Sequence, residues 1–266
     1  MIDKEILESY INKGLSLKQI SKELKVGYNT VLRYSKKYEL KSKIGNQGAR
    51  KHKFNENFFK EINTEEKAYW LGFIAADGCV YNNANAWRFQ INLKGSDKKH
   101  LEQFQEAIGS NYKISEKTVG KSEVCQLKIN SKKLCFDLIN LGIIERKSLE
   151  VKMPKLKKEM IRHFIRGYFD GDGNIKNFYD KNNRHRYNFN IVGGVDMLNS
   201  INENMPCDLD LYKIKRDSEI FSLETTMKSK LVSIYDFLYN NATIYLLRKK
   251  DIYDNLMSCL VEMQGQ

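Results

Sequence analysis

Two short segments place an aspartate at the same point of the same pattern. They are Trp70-Leu71-Gly72-Phe73-Ile74-Ala75-Ala76-Asp77-Gly78 and Ile165-Arg166-Gly167-Tyr168-Phe169-Asp170-Gly171-Asp172-Gly173. Each is an apolar helical run with small residues four apart, closed by Asp-Gly. The closing glycine is expected as a left-handed helix cap. A carboxylate just before that cap meets the partial negative charge of the helix C-terminus and is disfavoured there. Two such ends imply something positive between them. Gly72 and Ala76, like Gly167 and Gly171, form flat stripes on which two helices can pack with their backbones close. That packing would set Asp77 and Asp172 side by side. Adjacent carboxylates repel each other, and a divalent cation resolves both conflicts. Oxygen-only ligands with room for water and phosphate favour Mg²⁺, with Mn²⁺ as a substitute. Metal, paired carboxylates and a basic chain together point to phosphodiester hydrolysis.

Composition narrows the partner. The chain has 266 residues and a formal net charge of +12, which favours a polyanion, nucleic acid ahead of an acidic membrane. No apolar run approaches the ~20 residues needed to span a bilayer. The polar start Met1-Ile2-Asp3-Lys4-Glu5 is unlike a signal peptide. The five cysteines are odd in number and form no Cys-x-x-Cys, so neither a disulfide framework nor a zinc site is expected. A reduced, cytoplasmic setting follows, bacterial or phage-encoded, with an organelle as the other possibility.

The elements that must position the two aspartates form a repeat. Residues 1–40 read as three short helices. Ile6, Leu7, Tyr10 and Ile11 form one stripe, and Ser16-Leu17-Lys18-Gln19 a capping box for the second helix. This segment resembles the helix-turn-helix of resolvase-like and regulator-like modules. The third helix would then offer Tyr28, Asn29, Thr30 and Arg33 to the major groove. Residues 41–58 read as a basic linker, with Lys41, Lys43, Arg50, Lys51 and Lys53 suited to phosphates or a minor groove. Residues 59–152 and 153–266 then follow one order, α-β-β-α-β-β-α, ending in a single helical stretch over 228–263. Period-two alternation puts Arg88, Gln90, Asn92 and Lys94 on one strand face, opposite Phe89, Ile91 and Leu93. Arg184, Arg186, Asn188 and Asn190 repeat this in the second unit. The fold class is α+β.

The paired segments resemble the LAGLIDADG motifs of homing endonucleases, over most of residues 60–255. Phe164-Ile-Arg-Gly-Tyr-Phe-Asp-Gly-Asp-Gly173 is the sharper copy. The first copy has Ala75 where the family has an earlier Asp, which Asp170 keeps. Ala242-Thr-Ile-Tyr-Leu-Leu-Arg-Lys249 looks like the family's C-terminal signature. The resemblance implies a pseudo-symmetric monomer with no obligate protein partner. Its two sheets would form a saddle on double-stranded DNA, and Asp77 and Asp172 would hold metal at the centre. It also implies a basic residue or Gln near each site. Lys128 stands where a catalytic lysine is expected, and its counterpart is Glu224. The polar strand residues would read bases, Arg suiting guanine and Asn or Gln adenine. A site-specific DNA endonuclease is therefore the expected function. The alternative is a non-cleaving DNA-binding regulator or an intron RNA maturase on the same fold. Both motif aspartates are present, which favours cleavage. With Met1 at one end and Gly265-Gln266 at the other, protein splicing is not expected.

Overall fold

A computed structural model describes residues 2–40, 52–83, 86–143, 151–215 and 219–262. Lys41, Lys43, Arg50 and Lys51 of the expected linker lie outside these residues. The chain divides into two compact units, Met1–Lys53 and Phe54–Gln266. The second unit starts earlier than the sequence pattern indicates, because Phe58 is already buried in its core and Asn55 N donates to Ile108 O at 2.7 Å.

The N-terminal unit is three helices: α1 (Lys4–Asn12), α2 (Leu17–Glu23) and α3 (Tyr28–Lys37). Asp3 caps the first by accepting from Glu5 N. Ser16 and Gln19 form the expected capping box on the second. Between them the chain turns at Gly14, whose φ of 79° is open to glycine at little cost. Leu7, Ile11, Ile20 and Val31 make the core, and Tyr38 Oη donates to Ile2 O at 2.9 Å. Ile6, expected on the apolar stripe, is instead exposed. Tyr28, Asn29 and Arg33 are exposed along α3 and Thr30 is half-buried.

In the larger unit, α4 (Glu65–Asp77) leads directly into β1 (Gly78–Asn83) and β2 (Ala86–Lys94). α5 (Lys98–Ala107), β3 (Ser115–Val119), β4 (Ser122–Asn130) and α6 (Lys132–Asn140) complete the first half. The second half repeats it: α7 (Lys158–Asp172), β5 (Gly173–Tyr179), β6 (His185–Gly193), α8 (Val195–Asn204), β7 (Asp210–Lys213) and β8 (Phe221–Thr225). Two helices follow, α9 (Lys228–Tyr239) and α10 (Leu247–Glu262). Each half builds one antiparallel sheet, in the orders β1-β2-β4-β3 and β5-β6-β8-β7. The register is shared. Gly78 pairs with Ile91, and Gly173 with Ile191.

α4 is apolar all round from Ala68 to Ala76 and buried throughout, as a helix at the centre of a core must be. Its partner is α7, and the two approach to backbone contact. A Cβ on Gly72 would collide with the Phe164 carbonyl and lie 2.9 Å from Tyr168 N. One on Gly167 would collide with Tyr69 O and lie 2.8 Å from Phe73 N. Gly171 faces Ala76 in the same way. The small residues therefore do what their spacing indicates.

Two expectations fail. Gly78 and Gly173 are not left-handed caps. Their φ/ψ angles are −78°/161° and −86°/166°, extended backbone that carries each helix straight into a strand. Glycine is required there for space. A Cβ on Gly78 would sit 2.6 Å from Ile74 Cγ2, and one on Gly173 would sit 2.5 Å from Phe169 O. The C-terminal helical stretch is also not continuous. It breaks between Tyr239 and Leu247, starting at Asn241 with φ 55°. Buried charges take the backbone groups that a helix would have paired. Arg166 donates to Leu238 O and Ile244 O, both at 2.9 Å. Glu65 accepts from Thr243 N at 2.9 Å, and Asp170 from Leu246 N at 2.7 Å.

Candidate active site

Asp77 and Asp172 end the two packed helices. Asp77 is half-buried and Asp172 exposed. Asp77 Oδ2 lies 3.4 Å from where a Cβ on Gly171 would stand. The carboxylate of one motif thus reaches the last turn of the other, beside Asp172. The donors that the two helix ends offer are carboxylate oxygens. Among the described residues no cluster of three His, Cys, Asp or Glu side chains forms a metal cage. A pair of carboxylates that leaves other positions to water and phosphate suits Mg²⁺ better than a metal needing a full protein shell.

The positive group implied by the two helix ends is Lys249. Its Nζ donates to Phe169 O at 2.7 Å, Gly171 O at 3.2 Å and Gly173 O at 2.5 Å. It therefore caps the C-terminus of α7 and offsets its dipole. Burial pulls its pKa down to about 8, against the attraction of Asp170, Asp77 and Asp172. The signature Ala242–Lys249 announces no role for Lys249; its place in the first turn of α10, directly after the break, is what aims it at α7.

Asp170 is buried and holds the region together. It accepts from Tyr69 Oη at 2.8 Å, Tyr239 Oη at 3.0 Å and Leu246 N. Burial pushes its carboxyl pKa up, with Lys249 and these donors opposing. Tyr69 Oη is also 2.9 Å from His100 Nε2. Burial lowers His100 to about 4, so it is neutral. Arg166, fully buried, pairs with Glu65 at 2.6 Å. Burial alone would raise the Glu65 carboxyl, but Thr243 N–H and Arg166 outweigh it and hold it below its usual value.

The sheets bring the other expected residues to one face. On β2, Phe89, Ile91 and Leu93 are buried, whereas Arg88 and Gln90 are half-buried and Asn92 and Lys94 exposed. Arg186, Asn188 and Asn190 occupy the same face of β6, and Arg184 lies in the preceding turn. Arg186 is paired with Asp180 at 2.8 Å. Across each sheet runs one matching row. Gln90 pairs with Cys79 on one side and Lys128 on the other. Asn190 pairs with Asn174 and Glu224. Lys128 and Glu224 are thus true counterparts, and both stand two strands from the exit of a motif helix. Lys128 is exposed; Glu224 accepts from Asn188 Nδ2 at 3.3 Å. Lys53 is exposed at the end of the N-terminal unit.

A family described as LAGLIDADG-like domain matches residues 64–147, the span that opens with α4 and Asp77. The chain carries a LAGLIDADG-like domain. Its fold is that of LAGLIDADG homing endonucleases. The crystal structure of the LAGLIDADG homing endonuclease I-GzeII in complex with its DNA target superposes with a TM-score of 0.55 at 15% identity, covering 77% of this chain and 92% of that one. I-SmaMI bound to uncleaved DNA in the presence of calcium ions gives 0.53 at 14% identity, covering 77% and 92%. Among curated proteins, the replication factor C small subunit of Methanocaldococcus jannaschii is 31% identical over 127 residues, 46% of this chain. The chain spans 6% of that protein's length and 9–13% of four further curated relatives. The LAGLIDADG fold accounts for the close helix pair, the two sheets and the position of Asp77 and Asp172.

Proposed function

We propose that this chain is a site-specific endonuclease that hydrolyses both strands of a long double-stranded DNA target as a monomer. The observation that carries the reading is the packing of α4 on α7, which sets the Asp77 carboxylate against Gly171 and beside Asp172. Asp77 and Asp172 would hold Mg²⁺, or Mn²⁺ in its place. When bound, the cation polarises phosphate and makes water a better nucleophile. The protein's own part is positional. Gly72, Gly167 and Gly171 fix the distance between the acids, and Lys249 fixes the end of α7 by its three carbonyls. Lys128 would stabilise charge building on the phosphate on one side. Arg88, Gln90, Asn92 and Lys94, with Arg184, Arg186, Asn188 and Asn190, would meet base edges and phosphates. The helix-turn-helix of residues 1–40, through Tyr28, Asn29, Thr30 and Arg33, and the basic residues up to Lys53 would extend the target. DNA-bound structures of this fold support the partner.

The test is selection of cleaved sites from a randomised duplex library with Mg²⁺, repeated with Asp77→Asn and Asp172→Asn. The wild-type chain should enrich one long site. Each variant should bind it and cut it slower by orders of magnitude. Binding without cleavage by the wild-type chain would instead support the regulator or maturase reading.

A further inference from the structure

Strand register sorts the charged residues of the two sheets between a helix-covered face and an open face. In the first sheet Glu116 pairs with Cys125, and Glu123 with Thr118. Both share the parity of buried Cys125, so both turn towards the helices, where Glu116 meets Lys98 at 2.7 Å. Arg88, Lys94, Lys117 and Lys128 have the other parity and lie on the open face. Among the described strand residues no acid joins them there.

The second sheet reverses the pattern. Asp210 and Glu224 are direct cross-strand partners, on the parity opposite to buried Leu223 and therefore on the open face. Lys176 and Arg186 share that face, and Arg186 is already paired with Asp180. Lys213 turns the other way, over the Phe221 ring. Two residues from Glu224 on the same face is Ser222. It is 5% exposed, and its Oγ has no hydrogen-bond partner. Opposite it stands Tyr212, exposed like Phe178 on this same face.

Carboxylates directly opposite each other repel, and a polyanion laid against them adds to the cost. They are useful on a DNA-facing surface only as acceptors. In the major groove the base edge matching an acidic acceptor is the N4 amino group of cytosine. Phe178 and Tyr212, exposed beside them, suit a thymine methyl. Resting on the DNA-cleaving reading, we propose that the two units divide recognition. The first sheet adds phosphate charge, unopposed by acids among the described strand residues, to the base contacts of Gln90 and Asn92. The second selects its half-site by base edges, with Asp210 and Glu224 accepting from cytosine amino groups.

The experiment is binding selection from a randomised duplex library with the full chain, at two salt concentrations. The chains compared are wild type, Asp210→Asn, Glu224→Gln and Lys117→Gln. The amides keep the shape of the acids they replace. Wild type should prefer cytosine at one or two positions of one half-site by roughly 5- to 150-fold. Each acid variant should lose that preference at its own position and keep the rest of the profile. Lys117→Gln should weaken all sequences alike and lower the salt slope by about 1. If both acid variants keep the wild-type profile and merely bind every sequence more tightly, the acids are repulsive bystanders and the proposal falls, while the endonuclease reading stands. If the wild-type chain enriches no DNA at all, both fall.

Discussion

Moving one methyl group across the interface of the motif helices should separate two otherwise similar losses. Gly171→Ala places a Cβ in collision with Ala76 Cβ, and 3.4 Å from Asp77 Oδ2. The second contact is ordinary; the first is severe, because Ala76 Cβ is fixed to the backbone and cannot rotate away. Overpacking of this kind costs about 3 kcal/mol, and the better helix former returns about 1 kcal/mol. The single variant should therefore lose about 2 kcal/mol. Ala76→Gly loses about 1 kcal/mol of helix propensity and about 1 kcal/mol for the buried methyl. Independent sites would give a double variant some 4 kcal/mol less stable. The double variant keeps the methyl count of the interface and cancels the propensity terms. It should lie within about 1 kcal/mol of wild type, a coupling of about 3 kcal/mol. Urea unfolding followed by tryptophan fluorescence reads this cleanly, because both tryptophans, Trp70 and Trp87, lie in the larger unit. An additive double variant, or a neutral Gly171→Ala, would refute the close approach of Gly171 to Ala76.

Further outcomes follow from the same geometry. His100 has a folded pKa of about 4 against 6.5 when free. The unfolded chain therefore binds the extra proton between these values, and the stabilisation present above pH 6.5 is lost as pH falls towards 4. The loss is about 3 kcal/mol; His100→Gln should flatten that part of a stability–pH curve, and an unchanged slope would exclude His100 as its source. Lys249→Met removes three donors from the end of α7 and should cost at least about 3 kcal/mol in urea unfolding; a loss below 1 kcal/mol would mean the lysine does not cap the helix. Lys128→Met should slow one DNA strand much more than the other, because its counterpart is Glu224; a plasmid time course with both strands slowed equally would count against it. A chain lacking residues 1–53 should still cut, with a shorter footprint and a salt slope flatter by roughly 4 to 5. An unchanged footprint would show that this unit does not touch DNA.

The motif helices were legible because their constraint is local. Small residues four apart ending in Asp leave few other readings, and Gly72, Gly167 and Gly171 pack as that spacing requires. Strand faces were legible for the same reason: Phe89, Ile91 and Leu93 alternate with Arg88, Gln90 and Asn92. The break after Tyr239 was not. Ala242–Lys249 reads as apolar helix, and what interrupts it comes from elsewhere in sequence, from Glu65, Arg166 and Asp170. The available signal was Arg166 itself, a guanidinium inside an apolar motif, which must find buried acceptors. Lys249 was missed likewise, since its partners are backbone carbonyls that no side-chain pattern announces. The backbone angles of Gly78 and Gly173 depended on a strand beginning with no intervening turn, which Asp-Gly does not distinguish from a cap.

The break between α9 and α10 also sets a schedule. Glu65 at the start of α4 pairs with Arg166 and with Thr243 N, 178 residues later in the chain. At ~5–20 residues per second of synthesis, about 10–40 s separate the emergence of the two ends of that bond. Until Leu238 and Ile244 arrive, the Arg166 guanidinium has Glu65 but neither of its two carbonyl acceptors, and its charge in the core is only partly satisfied. The two halves repeat each other in sequence, yet the first helix of the larger unit must wait for a segment near its end. A nascent chain therefore holds an incomplete core for most of its synthesis. Slowing synthesis near the 240s should therefore lengthen the life of the incomplete core and lower the yield of folded chain.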